Sequence, residues 1–188
     1  MRLSASLYVP VALLQFLAPC CAAVVDRIAI VIGKRVVTES EVLDDLRLTE
    51  FINGEALDLG PAARRAAADH LVDQELIRRE LEMSGYANAP AGEADASLRK
   101  FRQTRFPSVA AYRAALREYG IDEEQLKQRL LWQLTAIRFT DFRFGSQQDV
   151  AGSPPTGVPA TSVDSQMDAW LKQARTDTAI TLKPEAFQ

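Results

Sequence analysis

The chain has 188 residues, with 22 Lys and Arg against 25 Asp and Glu, one histidine and a formal net charge of −3. A mildly acidic chain with interspersed charges lacks the net basic surface that a phosphate backbone demands, which excludes nucleic acid as a partner. Both cysteines, Cys20 and Cys21, sit side by side near the start. Disulfides, thiol catalysis and cysteine-ligated metal are therefore excluded from everything downstream.

Residues 1–23 read as an export signal. Arg2 supplies the positive start, Val9 to Ala18 is an apolar run interrupted by Pro10 and Gln15, and Cys21, Ala22 and Ala23 are small. That order predicts cleavage after Ala23. The run is too short to span a bilayer, which takes ~20 residues. Losing it removes one charge, Arg2, and moves the net charge from −3 to −4. A second reading remains open. Leu17-Ala18-Pro19-Cys20 looks like a bacterial lipoprotein signal, with Cys20 lipidated and the protein membrane-anchored, although that pattern has Gly or Ala where Pro19 stands.

The remaining ~165 residues suit one domain of ordinary size. The stretch 24–46, VVDRIAIVIGKRVVTESEVLDDL, opens with a β-branched strand that turns at Gly33-Lys34 and returns as Arg35-Val36-Val37. Thr38-Glu39-Ser40-Glu41 is a capping box, and Asn53-Gly54 stops the helix that it starts. Pro61 occupies a first helical position, where its missing N–H costs nothing. Ala62 to about Met83 is rich in strong helix formers, with Val72-Leu76 and Ile77-Leu81 each one turn apart.

A polar break at 84–91 precedes a third helix through Phe101 and Phe106. Pro107-Ser108 then restarts the chain, with Ser108 as N-cap. Gly120 ends that helix, and Asp122 with Gln125 caps a long one reaching about Phe142. Arg99, Lys100, Arg102 and Arg105 form the one basic stripe, read as a solvated helix face. Residues 145–164, rich in Gly, Ser, Pro and Thr, read as a flexible linker. Beyond it come a short helix around Met167, Trp170 and Leu171 and an alternating strand, Ala179 to Leu182. Two strands alone are marginal, so this last one is expected to pair with the opening hairpin. The expected fold is mainly α-helical with a small β-sheet made by the opening hairpin and the closing strand.

Chemistry-bearing residues are sparse. His70 has no Cys and no clustered acids beyond Asp69 and Asp73, and a metal site needs three or four convergent donors. No nucleophile triad, phosphate loop or zinc motif appears, so no catalytic residue, cofactor or metal is assigned. The paired acids Asp44-Asp45 and Glu123-Glu124 read as first-turn or surface positions. The long helix is apolar on two faces. Leu126, Leu130, Leu134 and Ile137 form one stripe, and Leu131, Trp132, Phe139 and Phe142 cluster on the other. A helix of this kind must bury both faces. The second face either packs under the closing helix through Trp170 and Leu171 or lines a groove for apolar polypeptide segments.

The opening hairpin and capped helix resemble the amino-terminal domain of SurA-type periplasmic chaperones and foldases. Three further segments are similar to that family: HLVDQELI at 70–77, FPSVAAYRAALREYGIDEEQLKQRLLWQL at 106–134, and AWLKQARTDTAITL at 169–182. Family members usually carry parvulin-type prolyl isomerase domains where this chain has only the 145–164 linker. A domain of ~100 residues has no room there, so isomerase activity is not carried over. The resemblance implies a helical chaperone domain (24–144) completed by 165–188. It also implies export to the periplasm, no cofactor, and unfolded envelope or outer-membrane polypeptides as partners; on that reading the second face of the long helix, Leu131, Trp132, Phe139 and Phe142, is the expected contact surface. No small-molecule substrate is expected. Two alternatives stand beside it: a structural or assembly subunit with one dedicated partner, and an isomerase-family protein with residual activity.

Overall fold

The computed structural model describes residues 26–144 and 163–188. The expected export signal, Cys20 and most of the expected linker lie outside the described residues.

The opening strands β1 (Ile28–Ile32) and β2 (Arg35–Thr38) pair antiparallel around Gly33, whose φ of 58° is the left-handed value that the turn requires. Five helices follow: α1 (Glu39–Asn53), α2 (Pro61–Ser84), α3 (Ala91–Arg105), α4 (Val109–Tyr119) and α5 (Glu123–Phe144). After the undescribed segment come α6 (Val163–Asp177), β3 (Ile180–Leu182) and a 3-10 turn over Pro184–Phe187. The sheet order is β2-β1-β3, with β3 antiparallel to β1 and Ile30 opposite both Val37 and Leu182. The closing strand thus returns to the hairpin, as the sequence predicts, and the fold is mainly helical with one small sheet. Its helix begins slightly earlier than expected, at Val163.

Local signals explain the boundaries. Thr38 accepts from the Glu41 N–H while the Glu41 carboxylate accepts from the Thr38 N–H at 2.9 Å, so two orphan donors of α1 are satisfied reciprocally. The Ser108 hydroxyl accepts from the Ala111 N–H at 3.1 Å. Asp122 and Gln125 cap α5 reciprocally at 2.7 and 3.0 Å. Each such cap is worth about 1 kcal/mol.

Three apolar clusters hold the elements together. In the first, β1 is the centre: Ala29, Ile30 and Ile32 are buried against Val42 and Leu46 of α1, Val72 and Leu76 of α2, and Phe187 of the last turn. The second joins Phe51 of α1, Leu98 of α3, Tyr112 and Leu116 of α4, and Leu126 of α5. The third is smaller, with Ile77 and Leu81 of α2 against Phe139 of α5, flanked by Trp170 and Leu171 of α6. Helix α5 contributes one end to the second cluster and the other to the third. Both faces are buried somewhere along its length, so the long helix acts as the strut between clusters.

Candidate functional site: the clefts around Trp132

Where α5 passes α2, its face turns from one cluster to the other, and packing there is incomplete. Trp132 lies at that point, half-buried, with the Arg78 guanidinium over its ring at 4.9 Å. Arg78 is held in turn by Glu75 at 3.0 Å. Three open clefts meet at Trp132. One, of about 380 Å³, runs toward Leu81, Tyr86 and Leu131. A second, of about 450 Å³, runs toward Leu48, Leu71 and the start of α5. The third, of about 410 Å³, runs along Ile77, Ala136 and Ile137. Large apolar side chains stand exposed nearby, with Ile137 60% and Phe142 64% accessible.

The four residues expected to form a contact surface fare differently. Leu131 and Trp132 line the same cleft. Phe142 is exposed and lies 5.2 Å from the Tyr86 ring. Phe139 does not belong to that surface: it is 1% exposed, packed edge-on to Tyr86 at 5.7 Å and against Ile77 and Leu81. One turn of α5 separates the two phenylalanines, and the inner one fills the third cluster. The stripe expected of Leu126, Leu130, Leu134 and Ile137 also breaks, because Ile137 faces solvent while Leu126 and Leu130 are buried. The second face of α5 is divided between packing and a cleft wall. Phe139 and Trp132 pack in the cluster reached by Trp170 and Leu171, and Leu131 and Trp132 also wall a cleft.

Beneath the clefts lies a charged cluster that the sequence does not reveal. Asp45 is not a surface acid: it is 5% exposed, and its Oδ1 receives Arg129 at 2.6 Å and the Gln74 amide at 2.8 Å. His70 Nδ1 donates to Asp45 Oδ2 at 3.0 Å. Burial alone would raise the Asp45 carboxyl. The hydrogen bond from His70, the charge of Arg129 and the Gln74 amide outweigh it and hold the carboxyl below the usual aspartate range. Arg129, itself 8% exposed, also donates to the Thr49 hydroxyl at 2.8 Å, while its Nε is buried without a partner among the described residues. The acids adjacent to His70 in sequence serve elsewhere. Asp73 and the Asp69 carbonyl both bind Arg175 of α6, at 2.7 and 2.8 Å.

The cluster ties α1, α2 and α5 together directly under Trp132. Helical periodicity has no means of finding Asp45–Arg129, since the partners are 84 residues apart and both look like surface residues. The one available signal was Arg129, a charge interrupting the apolar run of α5.

Among the described residues, no three His, Cys, Asp or Glu side chains gather as metal ligands, and no helix is long and apolar enough to cross a membrane. No family model matches the chain, and no curated protein matches it.

Proposed function

We propose that the protein is a non-catalytic chaperone-like module that binds apolar segments of unfolded polypeptides in the clefts around Trp132. The observation that carries this reading is the meeting of three open clefts at one half-buried tryptophan, beside exposed Ile137 and Phe142. Apolar surface broken up by charge suits reversible capture of many segments without self-association. The resemblance to SurA-type chaperones, carried by the opening hairpin, the second helix and the closing strand, supports the same class. The leader at 1–23 supports an exported protein acting on envelope polypeptides.

The test is suppression of aggregation when an unfolded outer-membrane protein is diluted from denaturant, without ATP. The expected result is suppression at near-stoichiometric protein, weakened several-fold by Trp132→Ser with the circular dichroism spectrum unchanged. A folded, monodisperse sample without effect contradicts the proposal and favours a subunit with one dedicated partner.

A further inference from the structure

We propose that the cleft on the Leu48–Leu71 side of Trp132 selects polypeptide segments in which a Lys or Arg lies four residues from an apolar side chain. This inference rests on the chaperone reading and adds a substrate class to it. The cleft has an apolar part, Leu48, Leu71 and Trp132, and a charged end where α5 begins. Several charges around it are already matched. Arg35 pairs with Glu41, Arg129 with Asp45 at 2.6 Å, and Arg78 with Glu75 at 3.0 Å.

Asp122 and Glu124 are different. Both line the cleft, both are exposed, and neither has an ion-pair partner among the described residues. Asp122 is engaged by the Gln125 N–H and Glu124 by the Gln128 amide, while Lys127, which also feels the Glu124 charge, makes its ion pair with Asp95 at 2.7 Å. Asp44, matched among the described residues by Arg47 at 3.3 Å, adds to the same rim. The cleft toward Tyr86 carries one Arg and one Glu, Arg78 and Glu82, and has no such surplus.

Spacing follows from the helix. Glu124 and Trp132 are eight residues apart, or ~12 Å along α5 at ~1.5 Å per residue. An extended segment covers that distance in about four residues at ~3.3 Å each. An even separation also puts both side chains on the same face of the segment. An apolar residue resting on Trp132 therefore presents position i+4 or i−4 to Asp122 and Glu124.

The experiment uses the whole protein and fluorescently labelled ten-residue peptides, read by anisotropy. The peptides share one aromatic residue and differ in carrying Lys at i+4, Glu at i+4 or Lys at i+1. The Lys i+4 peptide should bind about fivefold tighter than the Glu i+4 peptide at low salt, the scale of one exposed ion pair. Added salt should shrink the gap. Asp122→Asn with Glu124→Gln should abolish it, and Asn preserves the helix cap. Binding that ignores the flanking charge, or a preference that survives in the double variant, overturns this inference while leaving the chaperone reading intact. Equal binding of the i+1 and i+4 peptides overturns the register. No binding of any peptide by folded protein overturns both.

Discussion

At the residue scale, the decisive group is Asp45. A carboxylate 5% exposed is costly to bury, and it is retained here because Arg129, His70 and Gln74 converge on it. Removing its charge leaves the Arg129 guanidinium buried without a counter-ion. Asp45→Asn should therefore lose about 3–5 kcal/mol at neutral pH, read from denaturant midpoints. The pH dependence has a definite sign. The folded Asp45 carboxyl titrates below its unfolded value of about 3.9. Its contribution is complete above that value and is lost as pH falls through the lower, folded one. The gap between wild type and Asp45→Asn should accordingly be widest at neutral pH and narrow below about pH 4.

Glu50 runs the other way. It is 6% exposed, and burial pushes its carboxyl up, opposed by the Asp58 N–H that donates to it at 3.0 and 3.1 Å and assisted by the charges of Asp58 and Glu55. An acid raised on folding favours the folded state when protonated and opposes it once pH exceeds the folded value. Glu50→Gln keeps an acceptor for the Asp58 N–H and removes the charge. Its melting temperature should equal or exceed that of wild type at pH 7, and the advantage should vanish in acid.

At the element scale, α5 explains both what the sequence makes legible and what it hides. Its start was readable from Asp122 and Gln125, because a reciprocal cap is local chemistry. Its two apolar faces were readable from periodicity. Which aromatic points inward was not, because that depends on where α2 and α6 arrive from distant parts of the chain. Phe139 meets Ile77 and Leu81, whereas Phe142, three residues on, is exposed and meets the Tyr86 ring. Substitutions should separate the two roles. Phe139→Ser opens a cavity in the third cluster and should cost at least the ~3–5 kcal/mol typical of a buried Phe truncation, lowering the melting temperature steeply. Trp132→Ser and Phe142→Ser, at half-buried and exposed positions, should leave helicity and cooperativity in place while weakening polypeptide capture.

At the scale of the whole molecule, the chain closes on itself. β3 completes the sheet beside β1, and Lys183 N–H and Gly33 N–H lock the seam with 2.8 Å bonds to Ala29 and Ala179. The strand was legible from its alternation, Ala179 to Leu182. The final turn was not, since Pro184-Glu185-Ala186-Phe187 is too short to show periodicity, yet Phe187 is 5% exposed and seals the first cluster. Phe187→Ala should destabilise the protein by about 3–5 kcal/mol in chemical denaturation. The closing strand and turn thereby pack on the same α1 and α2 that carry Asp45, His70 and Gln74.

The measurement that bears most directly on this account is crosslinking from a photoreactive amino acid placed at position 132, with position 109 as control, in the presence of an unfolded outer-membrane polypeptide. Val109 is also exposed, at 47%, but is the first residue of α4 and lines none of the three clefts. Crosslinks to the polypeptide are expected from 132 and few from 109. Equal yields from both sites, or none from 132 while the protein still prevents aggregation, would contradict the placement of capture at Trp132.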